Sequence, residues 1–65
     1  MTRDEAERWV TSQGGSISFN RHKTGDDDEA VVQVPRRAAV RIMFKSGDAS
    51  DEAAAIVTAV RELRR

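Results

Sequence analysis

Hydrophobic residues recur with two different periods along this chain. The helical period, with apolar side chains at i, i+3, i+4 and i+7, occurs over residues 2–13 and again over residues 50–63. Each segment begins at a residue that caps helices well, Thr2 for the first and Ser50 or Asp48 for the second. The pattern therefore predicts one helix at each end of the chain. In the first helix Ala6, Trp9, Val10 and Gln13 fall on one stripe. In the second helix the apolar stripe consists of Ala53, Ile56, Val57, Val60 and Leu63.

Three segments between the helices alternate apolar and polar residues, which is the period of a strand with one buried face. We predict strands over residues 16–23, 29–34 and 38–45, with a polar turn at 24–28 and Pro35 ending the second strand. Their inward-facing residues are expected to be Ile17 and Phe19, then Ala30, Val32 and Val34, then Val40, Ile42 and Phe44.

The expected fold is one α+β domain over residues 1–65, with the order α-β-β-β-α. Short connections favour a three-stranded antiparallel meander, and the single apolar stripe of each helix favours both helices on one face of the sheet. The opposite face of the sheet is then open to solvent or to a partner. We expect this open face to contain Asn20, His22, Val31, Gln33, Arg37, Arg41, Met43 and Lys45.

The 65-residue chain carries 11 basic and 11 acidic residues, so its net charge predicts no general attraction to nucleic acid or membrane. Along a meander, however, the two signs separate. Arg36, Arg37 and the C-terminal arginines are expected at one end of the molecule, opposite an acidic end that we expect to contact a basic protein surface. The acidic end consists of Asp26, Asp27, Asp28, Asp48, Asp51 and Glu52.

The composition bears on location and association. The chain contains no cysteine, and no apolar run approaches the ~20 residues needed to span a bilayer. Its charged start lacks the apolar segment of a signal peptide. We therefore expect a cytoplasmic protein without membrane contact. A chain this short buries only about 60% of its unfolded surface, so we expect a monomer or a weak homodimer.

Residues suited to catalysis are scarce. His22 is the only histidine, and no nucleophile and base accompany it in a recognisable set. The acidic run at 26–29 lacks the spacing and the closing glutamate of a calcium loop. Gly14 and Gly15 follow a helix and precede a strand, the reverse of the order found in phosphate loops. We expect no catalytic residue, no metal site and no cofactor.

The order of elements resembles the double-stranded-RNA-binding domain. The turn at 47–50 and the alanines at 53–54 are similar to the start of that family's last helix. The family binds phosphates there through lysines, and through a loop between its first two strands. Here these positions are Asp51, Glu52 and the acidic turn at 24–28, so we expect no duplex-RNA binding in the family's manner.

A second resemblance, to the HicA-type toxins of the same fold, rests on Gly15-Ser16 and Val34-Pro35. This resemblance implies a ribonuclease with a catalytic histidine in the first strand. Ile17 occupies that position here, so we expect ribonuclease activity to be absent because the proton-transfer group is missing.

Two hypotheses for function follow. The mixture of apolar and cationic side chains on the open face favours a small protein-binding module, a regulator or an inhibitor, that also uses its acidic end. The alternative is a nucleic-acid-binding module, because Arg37, Arg41 and Lys45 recur every fourth residue and would form a cationic track. That face lacks aromatic platforms for bases, so we favour the protein partner. A catalytically dead HicA-like protein is a further alternative, and an ordinary solvated sheet face is the simplest interpretation.

Overall fold

The computed structural model describes residues 1–21 and 25–65, and these form the predicted α+β arrangement. The three strands make an antiparallel sheet in the order β1-β2-β3. None of the helices in the described ranges is long and apolar enough to cross a membrane. The elements are α1 (Arg3–Ser12), β1 (Ser16–Arg21), β2 (Asp27–Gln33), β3 (Val40–Lys45) and α2 (Ala49–Leu63).

Both helices pack on the same face of the sheet, as predicted. Val10 of α1, Val32 of β2 and Ile56 of α2 are almost completely buried in one apolar cluster. Ile17 and Val40, on the two edge strands, pack against the margin of this cluster. The core therefore lies between the two helices and one face of the sheet, and the described helices leave the other face uncovered.

Local hydrogen bonds explain where the helices begin. The hydroxyl of Thr2 accepts the backbone N–H of Glu5 while the Glu5 carboxylate accepts the N–H of Thr2, which completes the predicted capping box. At the start of α2 the Asp48 carboxylate accepts the N–H of Asp51 at 3.0 Å. Asp48 is therefore the cap, and Ser50 lies inside the helix.

The predicted bounds of β2 and β3 are wrong at their starts. β2 begins at Asp27 rather than at residue 29, because Asp27 pairs with Lys45 and Asp28 pairs with both Arg21 and Phe44. Backbone pairing with two neighbours outweighs the low strand preference of aspartate. β3 begins at Val40 rather than at residue 38. The predicted end of β1 falls partly outside the described residues.

Phe19 is on the predicted face but is less buried than expected. It remains 45% exposed, whereas Ile17 two residues earlier packs against the core. Phe19 is exposed because the helices cover the edge strand β1 only in part. α2 packs mainly over β3 and β2, and α1 contacts β1 less extensively than α2 contacts β3.

Candidate functional site

The register of the strands assigns side chains to the open face. Residues directly opposite each other in a sheet point to the same side, and successive residues point to opposite sides. The rows Asn20–Glu29–Met43 and Ser18–Val31–Arg41 therefore cross the open face. Of the predicted members, six lie on this face: Asn20, Val31, Gln33, Arg41, Met43 and Lys45.

Glu29 organises the polar part of the open face. Its Oε1 accepts a hydrogen bond from Asn20 Nδ2 at 3.2 Å and forms an ion pair with Arg41 Nη1 at 3.1 Å. These contacts join side chains from all three strands. Glu29 was not among the residues predicted for this face, although its alternation with Val31 in β2 indicates this position.

An apolar centre lies beside this polar group. Val31 is on the predicted face but is only 9% exposed, although we expected it to be open. Its direct cross-strand neighbours are Ser18 and Arg41, in the middle of the sheet where both sides of a strand are flanked. Met43, one row away on β3, is 48% exposed. The accessible apolar surface of this face is therefore centred on Met43 and not on Val31.

Arg37 does not belong to the open face, and the predicted cationic track is wrong at that position. The chain turns after β2, where Arg36 has a φ of 69° and the N–H of Arg37 bonds to the carbonyl of Val34 at 3.4 Å. Arg37 therefore lies in the loop before β3, and its Nη1 donates to the backbone oxygen of Arg65 at 3.4 Å. The spacing of four residues did not predict the position of Arg37, because β3 begins only at Val40 and Arg37 precedes it.

The charges that remain on the open face balance each other. Arg41 is paired with Glu29, and Lys45 lies directly opposite Asp27. Two cations and two carboxylates thus share the described part of this face. His22, also predicted here, lies outside the described residues.

The acidic end is formed where β2 meets the corner between β3 and α2. The N–H of Ser46 bonds to the backbone carbonyl of Asp26 at 2.7 Å, which holds the start of β2 against the end of β3. Asp51 accepts the backbone N–H of Lys45 at 2.7 Å, and Asp48 caps α2 beside it. The predicted grouping of these acids is therefore observed. Asp28 is the exception in orientation, because it shares the helix-covered face with Ala30 and is half-buried.

Half of the acidic residues also have structural contacts. Asp48 and Asp51 stabilise the corner through backbone N–H groups, and Glu52 forms an ion pair with Arg3 at 3.4 Å. Arg3 also bonds to Glu7 at 3.1 Å, and this bond, with a smaller contribution from Glu52, raises the pKa of the Arg3 guanidinium. Asp26 and Asp27, exposed at the start of β2, are therefore the better candidates for partner contact.

The arginines gather at the other end, as expected. The contact between Arg37 and the backbone of Arg65 brings the loop after β2 against the end of α2. Arg64 lies over the ring of Trp9, with 5.9 Å between the guanidinium carbon and the ring centroid. Arg65 pairs with Glu62 at 3.3 Å. The molecule is therefore electrically polar despite its zero net charge.

The segments that carried the HicA resemblance lie side by side. Ser16 pairs with Gln33, and a Cβ on Gly15 would stand 2.8 Å from a methyl group of Val34. Ile17, at the position of that family's histidine, is an apolar side chain packed against the core. Within residues 1–21 and 25–65, no group of three or more histidine, cysteine or acidic residues is arranged to hold a metal ion.

No protein family, curated protein or solved structure matches this chain. The geometry of the described residues is therefore the basis for any functional assignment.

Proposed function

We propose that this chain is a non-catalytic protein-binding module, a small cytoplasmic regulator or inhibitor that contacts its partner through the open sheet face and the acidic end. The observation that carries the proposal is the exposed Met43 side chain beside a group of mutually paired polar residues. Protein interfaces are enriched in methionine and depleted in unpaired charge at their centres. A face with a flexible apolar centre and internally balanced charges has this character.

The charge balance of the face also argues against the nucleic-acid alternative. Affinity for a phosphate backbone comes mainly from cations that release counterions. Arg41 is held by Glu29, Lys45 lies opposite Asp27, and Arg37 lies off the sheet. The described part of the face therefore offers a polyanion little net positive charge. Its apolar centre at Met43 supplies no aromatic ring, among the described residues, on which a base would stack.

The acidic end contributes electrostatic attraction to the partner rather than shape complementarity. Asp26 and Asp27 are exposed beside the start of α2, where further acids are grouped. Such a charge cluster accelerates association with a basic surface and selects against acidic partners. We assign the open face the role of the contact centre, and the acidic end the role of steering.

Affinity capture from the source cell, with nuclease treatment before elution, tests the proposal. The wild-type chain is expected to retain one or a few proteins after nuclease treatment. Met43→Asp, which introduces a charge at the apolar centre, should abolish their capture. Thr58→Asp is the matched control, because Thr58 is exposed on α2 and is remote from the sheet face. Capture that depends on nucleic acid, or that is equal for Met43→Asp and wild type, contradicts the proposal.

The steering role has its own test. Asp26, Asp27 and Asp28 are replaced together by asparagine, and the affinity for the captured partner is measured at low and at high salt. We expect weaker binding at low salt, and a difference that fades once the Debye length falls well below about 10 Å. If both the affinity and its salt dependence are unchanged, the acidic end has no part in binding.

A further inference from the structure

A cleft of about 370 Å³ opens at the end of the sheet opposite the acidic residues. Two chain segments line it, residues 14–16 between α1 and β1 and residues 33–37 after β2. Its volume is within the range of small-ligand sites in proteins, about 300–1,000 Å³. The cleft is distinct from the centre of the open face, and the proposed function does not use it.

The shape of the cleft depends on close backbone packing. A Cβ at Gly15 would overlap the carbonyl oxygen of Gln33 and stand 2.8 Å from a methyl group of Val34. Gly14 approaches Pro35, with 3.9 Å between a Cβ built on Gly14 and Pro35 Cγ. The two walls are therefore held in contact at their base, which gives the cleft a defined floor.

Arg36 lines this cleft in an unfavourable backbone conformation. Its φ of 69° is in the left-handed region, and among the described residues it is the only one other than glycine with a positive φ. A residue with a Cβ adopts this conformation at a cost that glycine avoids. Residues held in such conformations by the surrounding structure are concentrated at functional sites. The conformation of Arg36 therefore marks it as a candidate functional residue.

The charged side chains that line the cleft are cationic. Its lining contains Arg36 and Arg37 and no acidic residue. Neither arginine forms an ion pair with a carboxylate side chain in the part of the chain that the structure describes. Arg37 gives one N–H to the backbone oxygen of Arg65, which fixes its position and leaves its other donors available.

Three backbone N–H groups of the cleft are already used within the protein. Those of Gly14, Gly15 and Arg37 are bonded to the carbonyls of Thr11, Val10 and Val34 respectively. The side chains of the lining that could hold an anion are the two guanidinium groups and the hydroxyl of Ser16. Guanidinium groups bind phosphate through paired N–H donors, and two adjacent cations match a dianion better than a single carboxylate charge.

We infer that this cleft binds a small molecule through its phosphate group, with Arg36 and Arg37 as the cationic ligands and Ser16 as a hydroxyl donor. The cleft shares Ser16 and Gln33 with the margin of the open face, but its cationic ligands, Arg36 and Arg37, lie in the loop before β3 and belong to neither that face nor the acidic end. Loss of partner binding and loss of phosphate binding are therefore separable results.

Amide chemical shifts measured by NMR during titration with inorganic phosphate and pyrophosphate test this inference, with acetate titrated at the same ionic strength. Saturable shifts confined to residues 14–16 and 33–37 are expected with both phosphates at millimolar concentration, and not with acetate. Arg36→Gly should weaken phosphate binding at least tenfold. The same variant should raise Tm by several degrees, because glycine relieves the left-handed strain.

Two further variants keep the test decisive. Arg37→Gln should weaken phosphate binding without the gain in Tm. Arg8→Gln removes one charge from an exposed position on α1 and should leave phosphate binding unchanged. The inference is overturned if the phosphates give no saturable shifts at these amides, if acetate gives the same shifts, or if Arg36→Gly and Arg8→Gln weaken binding equally.

Discussion

Phe19 of β1 and Phe44 of β3 meet edge to face although a whole strand separates them. Their ring centroids are 6.0 Å apart, and the planes of the rings are inclined at 86°. The central strand carries Ala30 between them, directly opposite Phe19, and this alanine is fully buried. A small residue in the middle strand thus allows two edge-strand rings to converge above it. Through this contact the half-exposed ring of Phe19 rests against Phe44, which itself packs under α2.

The two phenylalanines should nevertheless contribute unequally to stability. Phe44 is 6% exposed and packs with Ala55 of α2, so Phe44→Ala should cost about 3–5 kcal/mol of unfolding free energy. Phe19→Ala should cost about 1–2 kcal/mol, because roughly half of the ring is already exposed and an aromatic pair adds about 0.5–1.5 kcal/mol. Denaturant unfolding of the purified variants measures both.

Arg41→Ala is the control for these variants, since its side chain is exposed on the other face of the sheet. Its effect should stay within about 0.5 kcal/mol. A loss equal to that of Phe44→Ala would mean that the assigned faces are exchanged by a one-residue shift in register.

Gly15 and Gly47 should tolerate alanine very differently, for different reasons. At Gly15 the new methyl group would overlap the Gln33 carbonyl and crowd Val34 and Val10, so Gly15→Ala should destabilise by about 3 kcal/mol. At Gly47 nothing lies within 4 Å, and only the φ of 79° is unfavourable, so the cost there should be about 1 kcal/mol. Thermal melts compare the two. Equal losses would show that α1 and β2 can separate without penalty.

The capping box predicts a pH dependence of stability. The backbone N–H of Thr2, and then its hydroxyl, lower the pKa of Glu5 from the ordinary value of 4.5. A depressed carboxylate pKa stabilises the fold above the unfolded pKa, and this contribution is lost as pH falls through the lower folded value. Glu5→Gln should therefore be less stable than wild type at neutral pH, and the difference should begin to shrink as pH falls below about 4.5 and vanish below the lower folded pKa. Melting curves that stay separated by the same interval at all pH values would contradict this.

Most of the fold could be predicted from the sequence because local signals agreed. The capping residues Thr2 and Asp48 and the alternation Val40–Ile42–Phe44 each act within a few residues of chain. The signals failed where a neighbour decides the outcome. Asp28 joins β2 because it has a partner strand on each side, and Asp27 joins it because it pairs with Lys45 of β3.

The candidate site was less predictable than the fold, since it depends on which surfaces remain uncovered. Phe19 follows the correct alternation, yet no periodicity shows that α2 packs mainly over β3 and β2 and leaves Phe19 half exposed. Arg37 has the correct spacing, yet the turn at Arg36 removes it from the sheet. Glu29 was overlooked because its importance comes from side chains on two other strands.

The purified protein should neither cleave mRNA nor bind duplex RNA tightly. Under the HicA resemblance Ile17 would stand where the catalytic histidine is expected, and the start of α2 carries the acids Asp51 and Glu52, which repel a phosphate backbone. Gel-based cleavage and mobility-shift assays at physiological salt are the measurements. RNA degradation, or a shift below micromolar protein, would refute this expectation.

Because the charges of the open face balance, removal of the negative charge of Glu29 should increase nucleic-acid binding. Glu29 is the carboxylate that holds Asn20 and Arg41, and its side chain is only 16% exposed. Glu29→Gln leaves Arg41 without its charged partner and makes the described face net positive. Nucleic-acid binding that is weak and salt-dependent should then appear or strengthen, because each additional phosphate contact increases both the affinity and the salt slope.

Asp4→Asn changes the net charge equally from an exposed position on α1, so it should not have this effect. Fluorescence anisotropy with a labelled duplex at two salt concentrations distinguishes the variants. If they behave identically, total charge and not the pairing at Glu29 governs binding, and the argument that separates a protein-binding face from a nucleic-acid-binding face is wrong.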